Sequence, residues 1–482
     1  MLSFRPILYV NGILLSILSL AMLVPAAVDV FMDNPDWKTF AISAFFTAFF
    51  GAIMILTNQG EVHKLNLRQA FVLTTTSWLV LVLFASLPFM FSDLEASFAD
   101  SFFEAMSGLT TTGSTVMVGL DNFPPGILLW RALLQGLGGI GIIVVAMAIL
   151  PMLRIGGMQL FRTESSDKSD KALPRARQVA TSIMGVYVFL IFLCFTLYWM
   201  QGIGAFDAIC HALTTVSTAG FSTHDLSFSY FNNPTLEVIA IVFMLLGALP
   251  FVLYVHALHG RPESILKDSQ VRWFLAVSIF AISIMTIWVA NTESMEWMSA
   301  VRYSAFNIVS VITTTGYATS DYGAWGSFGT TFFFLLIVVG GCTGSTTGGI
   351  KIFRYQILYQ VAKAQVQQLI HPHGVFKARF NGKPVTDSAS NSVLGFFILF
   401  AMCFQAVAIL LSFTGVDYIT SMSAAATSLA NVGPGLGSTI GPAGTFASLP
   451  DSAKWILSFA TLIGRLELFT VLILFSPQFW KE

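Results

Sequence analysis

Ten stretches of about twenty largely apolar residues, each with at most one or two charges, divide this chain, and a helix of that length is what a bilayer requires. They lie near residues 7–31, 39–57, 69–91, 126–150, 179–201, 235–258, 273–290, 329–350, 391–413 and 453–476. Lipid admits only helices and closed barrels, whose backbone groups pair internally. The expected fold is an all-α polytopic membrane protein with about ten transmembrane spans, and membrane lipid is its first partner. Charged residues make up 10% of the chain, against about 25% in a soluble protein. The formal net charge of −1 offers no basic balance for nucleic acid. A soluble enzyme and a nucleic-acid binder are therefore disfavoured. The four cysteines form no CxxC pair and read as small apolar fillers. The first stretch is too long for a signal-peptide core and lacks a good cleavage site, so it is kept as a helix.

With the N-terminus in the cytoplasm, 19 Lys and Arg fall in cytoplasmic segments, and only Lys38, Arg131, Arg302, Lys454 and Arg465 remain elsewhere. That asymmetry satisfies the positive-inside rule with both termini cytoplasmic. The longest inner stretches, 151–178 and 351–390, are too short for a nucleotide-binding domain, so control by nucleotide must come from another chain. Two outer stretches lack Lys and Arg altogether. Residues 92–125 carry Asp93, Glu95, Asp100, Glu104 and Asp121, and residues 203–234 carry Asp207 and Asp225. They read either as an acidic mouth that attracts cations or as ordinary solvated loop acids.

Four outer stretches contain a half-length apolar segment ending in a Thr/Gly-rich turn: FFEAMSGLTTTGST (102–115), DAICHALTTVSTAGFST (207–223), SAFNIVSVITTTGYAT (304–319) and SAAATSLANVGPGLG (423–437). Their central glycines, Gly113, Gly220, Gly316 and Gly433, are 96 to 117 residues apart. The repeated unit is a helix, a pore loop and a helix, four times around a central pore. The expected organisation is two extra N-terminal helices in 1–68, then repeats at 69–178, 179–271, 272–390 and 391–482. Ion dehydration explains such a unit, because four extended segments can replace a cation's water shell with backbone carbonyls. Irregular backbone at membrane depth is tolerated only where protein buries it or a water-filled path runs beside it.

TTGST, TAGFS, TTGYA and NVGPG each resemble a degenerate potassium-channel filter TVGYG, and four unequal copies in one chain resemble the Trk/Ktr/HKT superfamily of potassium transporters. The stretches GGIGIIVVAMAILP (138–151), IGGMQLFR (155–162), AGFSTHD (219–225), GGCTGSTTGGIK (340–351), ANVGPGLG (430–437) and GRLELFTVLIL (464–474) are similar to the bacterial Trk membrane subunit. The resemblance implies potassium uptake across the bacterial inner membrane, with no enzymatic activity and no organic cofactor. It implies ion-binding filter positions Thr111, Thr112, Gly113 and Ser114; Thr218, Ala219, Gly220 and Phe221; Thr314, Thr315, Gly316 and Tyr317; and Asn431, Val432, Gly433 and Pro434. Two departures stand out: only the fourth repeat keeps a second glycine, Gly435, and Asn431 replaces Thr. The four central glycines go, in this family, with K+ rather than Na+. The resemblance also implies a homodimer and a cytosolic, nucleotide-binding (TrkA-like) regulatory subunit docked on the basic inner loops.

Arg465 stands midway along the last span, where an arginine costs ~2.5 kcal/mol or more unless it faces protein or water. Leu462, Thr461, Leu468 and Phe469, three and four residues away, offer it no acid. It reads as an interhelical salt bridge, to Glu237 or to Glu467 of a dimer mate, or as a fixed charge that repels cations below the filter. The resemblance favours the second. The expected gate is Arg465 with Gly340, Gly341, Gly344, Ser345, Thr346, Thr347, Gly348 and Gly349, whose glycines should break their span; a tightly packed continuous helix is the alternative. GLGGIG at 136–141 imitates a dinucleotide fingerprint but follows no strand, and reads as close helix packing. The histidines read as structural. A proton- or sodium-coupled secondary transporter is the competing function, and it needs a carboxylate relay for which Glu237 and Glu467 are candidates.

Overall fold

Helix α1 (Arg5–Phe31) and helix α2 (Trp37–Thr57) cross where Gly12 meets Gly51. A Cβ on either glycine would come within 3.0 Å of the other's carbonyl oxygen, so only glycine permits the approach. The pair stands ahead of four similar units. The first has α3 (Leu67–Ala85, continued by Leu87–Phe91), α4 (Phe98–Leu109) and α5 (Pro125–Ala148). The second has α6 (Ala172–Met200), α7 (Ala205–Val216), α8 (Pro234–Gly247) and α9 (Phe251–Leu258). The third has α10 (Ser269–Thr292), α11 (Trp297–Ile312), α12 (Gly326–Ile337) and α13 (Ile352–Ile370). The fourth has α14 (Asp387–Phe413), α15 (Tyr418–Ala430), α16 (Asp451–Arg465) and α17 (Phe469–Leu472).

This computed structural model describes residues 3–60, 66–94, 96–148 and 172–481. Lys64, Glu95, the basic stretch containing Arg154, Arg162, Lys168 and Lys171, and the IGGMQLFR segment lie outside the described residues. Among those described, seven helices are long and apolar enough to cross a membrane, or nine if each of two bent pairs counts as one span. At 329–350 the span is not one continuous helix, as its glycines led us to expect. That stretch is helical only as far as Ile337, and more than half of it is a loop closed by a parallel pairing of β1 (Val339–Gly340) with β2 (Ile350–Lys351).

The two bends have different causes. Between α8 and α9 the chain turns by 92° at Pro250, which has no N–H to continue the helix. Between α16 and α17 it turns by 108° with neither Pro nor Gly at the break. There Glu467 and Leu468 take φ of 62° and 48°, a strained pair that the surroundings must hold. Glu467 does so through a buried ion pair with Arg354 of α13.

The short helices α4, α7, α11 and α15 have 12 to 16 residues. They rise only about 18 to 24 Å, short of a hydrocarbon core of about 30 Å. Ser97 caps α4 through Asp100 N (3.1 Å), and Asp417 caps α15 through Thr420 N (3.1 Å). Every residue from Ser101 to Leu109 is buried, which places the C-terminal end of α4 in the protein interior.

Candidate functional site

All four short helices end in the same way. A left-handed residue follows each, directly after α15 and one residue further on in the other three: Thr111 (φ 53°), Thr218 (50°), Thr314 (57°) and Asn431 (54°). Its N–H bonds the carbonyl three residues back, at Gly108, Thr215, Val311 or Ser428 (2.9–3.3 Å). The next N–H, of Thr112, Ala219, Thr315 or Val432, reaches five residues back to Ser107, Thr214, Ser310 or Thr427 (2.8–3.0 Å). This is a Schellman ending, which normally places Gly or Asn at the left-handed position. Three of the four are threonine, a β-branched residue that enters that region only under constraint.

The glycines follow at φ 86° (Gly113), 80° (Gly220), 84° (Gly316) and 108° (Gly433). A Cβ on Gly113 would collide with Ala219 O, one on Gly220 with Thr315 O, one on Gly316 with Val432 O, and one on Gly433 would lie 2.9 Å from Thr112 O. The contacts run from repeat 1 to 2 to 3 to 4 and back to 1. The carbonyls before the four glycines therefore form a closed ring, and of the sixteen filter positions read from the sequence the structure brings 111–113, 218–220, 314–316 and 431–433 together around it.

The residues after the glycines brace the ring to other repeats. Ser114 Oγ donates to Gly433 O (2.8 Å). Phe221 lies under the Arg131 guanidinium, 4.1 Å from its ring centroid. Tyr317 OH bonds Thr214 Oγ1 and approaches Thr215 Oγ1 (3.3 Å).

Directly against the ring lies the loop 341–349. Its backbone is satisfied by the break in repeat 2: Cys342 N donates to Ala248 O (3.0 Å), Thr346 N to Gly247 O (3.2 Å), and Phe251 N to Gly344 O (2.9 Å). Two interrupted helices thus complete each other's hydrogen bonds. The loop touches the ring at two left-handed threonines, with Thr346 Oγ1 3.0 Å from Thr218 Oγ1 and Gly348 N donating to Thr314 Oγ1 (2.7 Å). Gly340 and Gly341 start the loop, while Ser345 and Thr347 bond each other (2.8 Å). A cavity of about 20 Å³, room for one water, separates Gly344, Ser345, Thr347, Gly348 and Gly349 from Arg465.

Arg465 is buried, and none of its three side-chain nitrogens has a hydrogen-bond partner among the described residues. The acids considered for it are engaged elsewhere within this chain. Glu237 pairs with Arg302 (2.6 Å) and Glu467 with Arg354.

The outer acids are largely neutralised in space. Buried Glu104 accepts from Arg131 Nε (2.8 Å), and Asp100 meets Lys454 Nζ (2.5 Å). Asp225 accepts from Gly119 N (3.0 Å) and Leu120 N (3.2 Å). His224 Nδ1 lies 2.5 Å from Asp121 Oδ1, and its Nε2 lies 3.6 Å from Asp207 Oδ2, an ion-pair rather than a hydrogen-bond distance. Burial opposes protonation of His224, but Asp207 and Asp121 outweigh it and hold the pKa above the usual 6.5. Of the outer acids that the sequence leaves open as a cation-attracting mouth or as solvated loop acids, these five serve as clamps. His211 bonds Asp207 O (2.8 Å) and Ser222 Oγ (3.0 Å), a structural role.

GLGGIG serves packing: a Cβ on Gly138 would collide with Leu109 O, and one on Gly139 would come 2.8 Å from Ser217 Cβ. One residue beside it escaped the sequence reading. Gln135 Nε2 donates to Ala219 O (2.8 Å), and its Oε1 accepts from Phe221 N (3.0 Å). Its signal was available as a second polar residue four positions after Arg131 inside an apolar span.

The TrkH family model, described as a cation transport protein, matches residues 37–482. The chain is 43% identical over 478 residues to the Trk system potassium uptake protein TrkI of Halomonas elongata, covering 99% of this chain and 97% of that protein. It is 36% identical over 485 residues to the Trk system potassium uptake protein TrkH of Escherichia coli, covering 99% and 100%. The crystal structure of the potassium transporter TrkH from Vibrio parahaemolyticus aligns with a TM-score of 0.93 at 35% identity over 100% of both chains. A shared backbone, full-length relatives and a family model spanning nearly the whole chain lead to one conclusion: the chain belongs to the TrkH family of cation transport proteins, which are transporters rather than enzymes.

Proposed function

We propose that this protein takes up potassium across the bacterial inner membrane, with the ring as its selectivity filter and the loop 340–349 with Arg465 as its gate. The observation that carries the reading is the closed circuit in which each ring glycine faces the next repeat's carbonyl. Thr112, Ala219, Thr315 and Val432 supply the oxygens that replace water around the ion. The C-terminal ends of α4, α7, α11 and α15 aim their negative poles at it. Below, the uncompensated charge of Arg465 and the packed loop oppose passage. The reading takes the four repeats at 69–178, 179–271, 272–390 and 391–482, and the positive-inside asymmetry supports both termini in the cytoplasm.

The relatives are named as parts of a Trk system. We accordingly include in the proposal a homodimer and a cytosolic nucleotide-binding subunit that acts on the gate. A proton- or sodium-coupled carrier needs a free intramembrane carboxylate. Glu237 and Glu467 are held by arginines, and Asp29 accepts from Gly126 N (2.7 Å). Rubidium uptake into proteoliposomes tests the reading. Uptake that follows the rubidium gradient without a proton or sodium gradient supports it, and uptake that requires either gradient overturns it.

A further inference from the structure

We propose that Gln135 is a positioning residue for ion selection, whose side-chain amide brackets the repeat-2 ring segment and holds the Ala219 carbonyl at the radius potassium needs. The inference rests on the filter reading above and deepens it. Repeats 1 and 3 have threonine before the ring glycine. Thr112 Oγ1 is tied to Thr110 Oγ1 and Thr315 Oγ1 to Thr313 Oγ1, each at 2.8 Å, so the ring segment is fastened to the end of its own short helix. Repeat 2 has Ala219, with no hydroxyl to make that tie.

Gln135 supplies the missing fastening from another repeat. Its two hydrogen bonds, to Ala219 O and from Phe221 N, grip the backbone on either side of Gly220. The grip belongs to a longer contact. Arg131, Gln135 and Gly139 lie at i, i+4 and i+8 on one face of α5. Arg131 Nη1 donates to Ser222 O (2.7 Å), and Gly139 lies against Ser217. One helix of repeat 1 therefore runs as a rail along residues 217–222 of repeat 2.

The consequence is specific to one oxygen. Among the described residues, no side chain donates to Thr112 O, Thr315 O or Val432 O, whereas Ala219 O carries a fixed donor. A carbonyl held from behind resists moving toward the axis, and a ring that cannot contract coordinates the smaller sodium ion poorly. Without the donor, Ala219 O is free to close on sodium. A net hydrogen bond of this kind corresponds to about a fivefold change in an equilibrium.

Two substitutions test this by sodium competition against rubidium uptake between pH 5.5 and 8.5. Gln135→Met keeps the volume and removes both bonds, so relative sodium flux should rise about fivefold at every pH. Gln135→Glu is nearly isosteric. As a neutral acid it donates O–H to Ala219 O while its other oxygen accepts from Phe221 N; as a carboxylate it opposes that carbonyl with acceptors only. It should therefore discriminate like the parent at the acidic end and leak sodium at the alkaline end. The parent, run alongside, controls for the charged and titratable groups nearby, which are His211, His224, Arg131 and Glu104. Parent-like selectivity in both variants overturns the proposal, as does reduced flux with unchanged selectivity. Equal sodium leak at all pH values in Gln135→Glu also overturns it, because the donor is then irrelevant. If Gln135→Met does not assemble, Gln135→Glu carries the test alone. A parent that does not distinguish rubidium from sodium refutes the filter reading itself, which separates that failure from this one.

Discussion

In the ring, each of the four repeats contributes the same backbone: a Schellman ending, a left-handed residue, a carbonyl and a left-handed glycine. In the layer beneath it the repeats contribute unequally, a long loop from repeat 3, a charge from repeat 4, a bent helix from repeat 2 that pairs with the loop, and the small residues of α5 from repeat 1. On the proposed reading, an ion stripped of water must be met from all sides at once, and this requires the repetition. On the same reading an obstruction has only to occupy the path, so one insertion and one charge suffice. The repeats have diverged where equivalence is not demanded, even within the ring's own supports. The hydroxyl ties of repeats 1 and 3 give way to Gln135 in repeat 2, and in repeat 4 to Asn431, whose Nδ2 reaches Thr112 Oγ1 (3.0 Å) and Thr461 O (2.9 Å).

The largest effect should come from exchanging glycines between the two layers. Gly220→Ser and Gly316→Ser place a Cβ against Thr315 O and Val432 O and also strain a positive φ. Relative sodium flux in competition assays should rise by about tenfold or more, exceeding the loss of total cation flux, since a collision with backbone costs more than one hydrogen bond. Gly344→Ala has a comparable φ of 78° but open space around its Cβ. It should leave selectivity at the parent value. Equal selectivity in the ring variants and the parent would mean that the ring glycines serve packing alone.

The next effect concerns flux without selectivity. Arg465→Ala removes the fixed charge, and deletion of residues 344–349 removes the loop that bonds Thr218 and Thr314. Each should raise rubidium uptake several-fold in correctly assembled protein while the sodium-to-rubidium ratio stays at the parent value. Both variants at or below the parent rate would place the gate elsewhere.

What the sequence made legible divides along the same line. The ring could be read because its glycines recur at a regular distance and each follows a half-length apolar helix. The left-handed threonines could not be read, since propensity argues against a β-branched residue there; Asn431 alone advertises the conformation. The break within 329–350 was legible in its glycines, but the point where the helix stops was not, because glycine is neutral in a hydropathy window yet ends a helix. The acidic mouth looked unbalanced because its cations are remote in sequence. Arg131 lies 27 residues beyond Glu104, and Lys454 comes from the last repeat.

The smallest effect tests whether the unequal supports can be loosened without touching the ring. His224 joins the return segment of repeat 2 to Asp121 of repeat 1 and faces Asp207 on its own short helix, with Tyr230 stacked on it at 3.5 Å. Its pKa is raised in the folded protein. Its contribution to stability is therefore complete below the unfolded value near 6.5 and is lost as pH rises through the higher folded value. The site is partly exposed, and a screened pair contributes little, so the melting temperature of a chain this long should change by about 1 °C. His224→Gln removes the charge at every pH. The difference in melting temperature between parent and variant should accordingly shrink from pH 6 to pH 9, while the sodium-to-rubidium ratio of both stays the same. A difference that is constant with pH would make the clamp a matter of packing. A selectivity that follows it would mean that the ring senses its supports, and the contrast between an equivalent ring and inequivalent surroundings would fail at repeats 1 and 2.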